Sequence, residues 1–239
     1  MAIRGILFDK DGTLVDFHKT WHAIGDRLAL EAAGDDRGLA DDLMDLAGYD
    51  FAAGRFRADS VFAAGTNADI VALWYAAVPL AEHQERVKHF DRVTAEEGAR
   101  AAVPLAGILD ALRDLHAQGY KLGVATNDSE GGARRTIEAI GVADLFVAAY
   151  GYDSVARPKP APDAIDAFCA LTGFVPGEIA MVGDNRHDLE MARAGGAGLA
   201  VGVLSGTGTQ ERLAPLADVV LSSVRELPVY LARHGPRPG

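Results

Sequence analysis

Short apolar runs recur along the chain at Ile3 to Phe8, Lys121 to Ala125, Leu145 to Ala149, Ile179 to Val182, Leu199 to Val203 and Val219 to Leu221. Each is too short for a buried helix and is bounded by polar or turn residues, which predicts strands. Between them, Ile108 to Gln118, Gly132 to Ile140, Pro162 to Leu171, Asp188 to Ala194, Gln210 to Leu213 and Val224 to Ala232 carry apolar residues at helical spacing. Strands alternating with helices require crossovers and parallel pairing, so the pattern predicts a doubly wound α/β domain. Near-continuous apolar runs fit strands covered on both faces.

The stretch from Asp16 to about Arg100 breaks the alternation. It offers only helical patterns, at Trp21 to Ala33, Leu39 to Ala47, Phe51 to Gly65, Asn67 to Val78 and Glu82 to Gly98. This predicts an all-helical domain of residues 16–100 inserted into an α/β core formed by residues 1–15 and 101–239. Pro79 and Pro104 punctuate it as turns, and Gly34 and Gly48 stand where helices could end. No internal repeat is present. The tail His234 to Gly239 is expected to fray, because its Pro and Gly residues offer little to pack.

With 239 residues, 49% of them hydrophobic, the chain is long enough for such a core and a smaller second domain. Lys and Arg total 23 against 34 Asp and Glu, a net charge of −11, which argues against nucleic acid or an anionic membrane as partner. Cys169 is the single cysteine, so no internal disulfide and no thiolate zinc site is expected, in keeping with a cytoplasmic protein. The N-terminus meets Asp9, Lys10 and Asp11 too soon to be a signal peptide. No segment approaches the roughly 20 apolar residues of a membrane span.

Chemistry concentrates at the predicted strand ends. In Phe8-Asp9-Lys10-Asp11-Gly12-Thr13-Leu14 two carboxylates lie two residues apart just beyond a buried strand, where open α/β sheets place ligands. An isolated Asp-x-Asp is commonly a plain acidic turn. Beside Mg²⁺ and a positioned phosphoryl group, however, a carboxylate forms an aspartyl-phosphate and splits one hard hydrolysis into two easier steps. Gly12 lets the chain turn so that both side chains face one point. Val124-Ala125-Thr126-Asn127 ends a second strand, where a Thr is often only a helix cap. Arg157-Pro158-Lys159-Pro160 fixes a lysine between prolines, a compact charge that suits phosphate. Met181-Val182-Gly183-Asp184, followed by Asp188, supplies hard oxygens of the kind Mg²⁺ takes; Asp188 reads equally well as an acid at a helix N-terminus.

These four segments, in this order, resemble the signature motifs of the haloacid dehalogenase superfamily, and the inserted helical segment after the first looks most like the phosphoglycolate phosphatase group. The resemblance implies a Rossmann-like core with a mobile cap whose closure excludes water. It implies an Mg²⁺-dependent phosphatase acting on a small phosphorylated metabolite, as a monomer or homodimer. By the same resemblance Asp9 is the nucleophile, Asp11 the general acid and base, and Thr126 and Lys159 the phosphoryl clamp. Gly12, Thr13 and Asn127 join those two in binding substrate; Asp9, Asp11 (through its backbone carbonyl) and Asp184 hold the metal directly, and Asp188 is either a further ligand or a support behind the ligands.

Substrate choice falls to the cap, where His18, Lys19, Trp21, His22, Arg55 and Arg57 are candidates, though such residues are ordinary on any surface. Phe17 stands where many relatives have Ser or Thr. Dehalogenases of the superfamily lack an acid at the position of Asp11. A phosphosugar mutase is an alternative, but the cap-proximal His of that group is replaced by Trp21, with His22 adjacent. Lys19 and Lys88, the only lysines of the insertion, lack the apolar setting of a Schiff-base lysine. A catalytically silent phosphate- or protein-binding relative would have no need for so costly a cluster of like charges.

Overall fold

The computed structural model describes residues 2–234; the tail from Gly235, read above as frayed, lies outside them. In chain order the elements are β1 Gly5–Phe8, α1 Phe17–Ala32, α2 Arg37–Ala47, β2 Tyr49–Asp50, β3 Arg55–Phe56, α3 Val61–Ala64, α4 Asn67–Trp74 and α5 Leu80–Ala101. There follow α6 Ile108–Ala117, β4 Lys121–Ala125, α7 Glu130–Ala139, β5 Phe146–Tyr150, α8 Asp163–Thr172, β6 Ile179–Gly183, α9 Arg186–Ala194, β7 Leu199–Val203, α10 Gln210–Leu213, β8 Val219–Leu221 and α11 Leu227–His234.

Six strands form one sheet in the order β5-β4-β1-β6-β7-β8, with parallel pairing throughout. Strand alternation splits its side chains between two apolar clusters. Ile6, Phe8, Val124 and Val182 face one layer of helices, and Leu7, Ala125, Ile179 and Met181 face the other. β1 pairs with β4 on one side and β6 on the other, Phe8 standing level with Val124 and Val182. Asp9, one residue further on, and Thr126 and Asp184, two residues further on in their strands' continuations, therefore emerge at one sheet edge, at the point where the strand order reverses.

A third apolar cluster belongs wholly to residues 17–101, with Trp21, Ile24 and Leu28 on one face of α1 packed among Met44, Phe62, Trp74 and Phe90. Burying side chains of this size contributes about 1.5–3 kcal/mol each. Asp16 caps α1 by accepting from the Lys19 amide, and Thr66 and Asp69 form a reciprocal cap on α4. The chain leaves and re-enters the core along paired segments: Asp16 N donates to Val103 O at 2.9 Å, and Leu105 N to Leu14 O at 3.0 Å.

The expected all-helical insertion is corrected in one place. Tyr49–Asp50 and Arg55–Phe56 form an antiparallel hairpin, so no helix runs from Phe51 to Gly65. Gly48 ends α2 with φ 112°, and Asp50 Oδ1 accepts from the Ala52 and Ala53 amides, closing a turn where a helix would have had to begin. Among the described residues no helix is long and apolar enough to cross a membrane.

Candidate active site

Asp9 directly follows β1 and is 6% exposed; Lys159, Asp184 and Asp188 are 8, 3 and 1% exposed, so their charges require partners inside the protein. Lys159 Nζ supplies one, donating to Asp9 Oδ1 at 2.7 Å and Asp188 Oδ1 at 2.6 Å. Asp188 Oδ2 accepts from the Asn185 amide at 2.9 Å, so this residue is both the returning acid of the α9 cap and a member of the cluster. Asp184 Oδ2 accepts from Thr207 N at 2.6 Å.

Burial pushes the Asp9 carboxyl up to about 7; Lys159 opposes the rise, while Asp188 and Asp11 add to it. Burial, then Asp9 and Asp188, hold the Asp184 carboxyl well above the usual range. Burial pulls the Lys159 ammonium down, but Asp188 and Asp9 outweigh it and its pKa is raised. One oxygen each from Asp9, Asp184 and Asp188 lies within 4.8 Å of the others. Three carboxylates sharing one ammonium leave an excess of negative charge on hard oxygen donors, a set that fits Mg²⁺.

Asp11 faces the same point from the turn after β1. Its Oδ1 accepts from Trp21 Nε1 at 2.6 Å, and its Oδ2 lies 2.6 Å from Lys10 Nζ. Lys10, only 1% exposed, also reaches Asp128 Oδ2 at 3.1 Å and sits 4.9 Å from the centre of the Trp21 ring. Sequence reasoning gave Lys10 and Asp128 no role. A lysine at the end of a buried strand was the available signal, because it can be buried only against a carboxylate.

Asn127 joins two parts of the site. Its amide group donates to Ala64 O at 2.8 Å and Lys159 O at 3.1 Å, while its Oδ1 accepts from Lys159 N at 3.1 Å. His187 Nδ1 also contacts Ala64 O, at 3.2 Å. Thr126 is 5% exposed, and its Oγ1 accepts from the Asp128 amide at 3.1 Å.

Asp9, Asp11, Thr126, Asn127, Lys159, Asp184 and Asp188 all line one cavity. Gly12 and Thr13, expected among the substrate-binding residues, are not part of its lining. Gly12 has φ 83°, and a Cβ there would meet Asp184 Oδ2 at 2.7 Å, so a side chain would collide with the acidic cluster. Thr13 is fully buried, its hydroxyl without a partner among the described residues.

Of the candidate selectors, Trp21 lines the cavity. His18, Arg55 and Arg57 line a separate cleft with Arg212 and Thr207. Lys19 is exposed and paired with Asp16 at 2.7 Å, and His22 is exposed with its ring 4.6 Å from that of Tyr49.

A family model for haloacid dehalogenase-like hydrolases matches residues 3–196. The phosphoglycolate phosphatases of Salmonella typhimurium strain LT2 and Escherichia coli strain K12 are each 32% identical over 241 aligned residues, covering 94% of this chain and 91% of the relative. The crystal structure of a predicted phosphoglycolate phosphatase from Haemophilus somnus 129pt superposes with a TM-score of 0.72 at 22% identity, covering 95% of this chain and 97% of that one. That likeness carries the fold; sequence similarity along nearly the whole chain, with all four motif segments inside the matched span, carries the kinship. The chain belongs to the haloacid dehalogenase-like hydrolase family.

Proposed function

We propose that the protein is an Mg²⁺-dependent phosphatase that hydrolyses a small phosphate monoester through an aspartyl-phosphate on Asp9. The observation that carries this reading is the buried cluster of Asp9, Asp184 and Asp188 with Lys159 Nζ bonded to two of its members. Residues 1–15 and 101–239 serve as the catalytic core and 16–100 as its cap, in keeping with the separate apolar cluster of the insertion.

Asp9, Asp184, Asp188 and the backbone carbonyl of Asp11 would hold the ion. When bound, Mg²⁺ supplies positive charge that offsets the carboxylates and the oxygens of the transferring group. A carboxylate oxygen of Asp9 attacks phosphorus, and the bond to the ester oxygen breaks. Asp11 gives that oxygen its proton, then removes one from the water that attacks the acyl-phosphate, releasing phosphate and restoring Asp9. Lys159 and the Thr126 hydroxyl stabilise charge on the phosphoryl oxygens, where most phosphoryl-transfer catalysis arises. Trp21 and Lys10 hold Asp11 by both oxygens and so set its direction. Gly12 gives the turn its room against Asp184, with the buried Thr13 next to it; Asn127 seats Lys159 and ties it to the cap.

Phosphate release from a panel of small esters, with Mg²⁺ and with excess chelator, tests the reading. Release that needs the metal supports it, and full activity in excess chelator contradicts it.

A further inference from the structure

The cavity above the phosphoryl site carries information about the other half of the substrate. Its wall on the inserted segment is largely apolar, formed by Phe17, Trp21, Phe62, Ile70 and Phe90. The polar groups set into that wall are already committed or accept hydrogen bonds. Asn67 donates its amide hydrogens to Asp91 Oδ1 at 2.8 Å and Thr94 Oγ1 at 3.0 Å, leaving its side-chain carbonyl as an acceptor. Thr94 donates to Asp91 O at 3.3 Å. The Ala64 carbonyl faces Asn127 and His187.

Among the described residues, no lysine or arginine of the inserted segment lines this cavity. Lys159 is engaged by Asp9 and Asp188, and Lys10 by Asp11 and Asp128. Arg55, Arg57 and Arg212 line the other cleft, where Arg57 pairs with Asp45 and Arg212 with Asp59. A carboxylate or second phosphate on the leaving group would lose its water against the rings and acceptor oxygens of the inserted segment, while Lys159 is already engaged by two carboxylates and His187 Nδ1 by the Ala64 carbonyl. An uncharged alcohol loses far less, its carbon skeleton packs on the rings, and any hydroxyl it carries can donate to Asn67.

We infer that the leaving group is an uncharged alcohol with an apolar face, and that this wall selects against anionic leaving groups such as carboxylates. The inference rests on reading the cavity as the site of phosphate-ester hydrolysis.

The test compares esters matched in carbon skeleton that differ by a carboxylate: ethyl phosphate against phosphoglycolate, and glycerol phosphate against phosphoglycerate. The expected result, in Mg²⁺, is a kcat/KM for the uncharged member higher by about tenfold or more in both pairs. Equal or higher values for the carboxylates overturn the inference and leave the phosphatase reading intact. If no ester is hydrolysed, the phosphatase reading falls, and calorimetric binding of the same pairs to the unmodified protein decides the wall's preference. Tighter binding of the uncharged members then upholds the inference, and tighter or equal binding of the carboxylates overturns it.

Discussion

Lys159 serves two buried carboxylates at once, and removing it leaves both without their ammonium. Lys159→Met should destabilise the metal-free protein by about 3–5 kcal/mol, read by urea unfolding, and abolish phosphate release. A loss under about 1 kcal/mol would mean that the pair contributes little to the fold. Trp21 is a different case: Trp21→Phe keeps a ring in the wall but removes the donor to Asp11 Oδ1. A fall in kcat of about tenfold with KM little changed is expected, and unchanged kcat would show that Asp11 needs no such guide. Asp9, Asp11, Lys159, Asp184 and Asp188 were legible in the sequence because motif spacing marks them. Lys10 and Asp128 were not, since they meet only through the pairing of strands more than a hundred residues apart in the chain.

Besides the packing of α5 on α7, elements of the inserted segment reach the core through polar contacts that include Ala64 O with Asn127 and His187, Asp59 with Arg212, and Asp91 with the Tyr152 hydroxyl at 2.8 Å. Asn127→Ala should raise KM and quicken amide exchange in α3, with a stability loss of about 1–3 kcal/mol from the orphaned Ala64 and Lys159 groups. Exchange in α3 identical to that of the unmodified protein would show that Asn127 does not hold Ala64 in place. Core elements read well from sequence. β4 and β7 occupy the expected residues because strands covered on both faces leave unbroken apolar runs, and α10 and β8 match their expected bounds as well. The β2–β3 hairpin did not read, since strands of two residues carry no period and its turn is set by one Asp side chain. α4 stops at Trp74 rather than Val78, where that indole donates to Leu43 O at 2.9 Å.

For the molecule as a whole, the acidic cluster makes the metal-free fold sensitive to pH. A carboxyl whose folded-state pKa is raised binds its proton more tightly when folded, so its contribution is present below the unfolded value of about 3.9. For Asp9 that contribution is lost as pH rises through about 7, and Asp184 acts in the same direction. Metal-free stability should therefore fall between pH 5 and 7 by about 1–3 kcal/mol, and Mg²⁺ at about a hundred times its Kd should return about 2.7 kcal/mol. A flat profile, or one unmoved by Mg²⁺, would contradict this charge balance. The most direct measurement of the central claim is chemical: a single turnover quenched in acid, reduced with borohydride and mapped by mass spectrometry. Homoserine at position 9 is the expected product, formed from the acyl-phosphate of Asp9 and absent in Asp9→Asn. Phosphate release with Asp9 unmodified throughout, or turnover retained in Asp9→Asn, would contradict it.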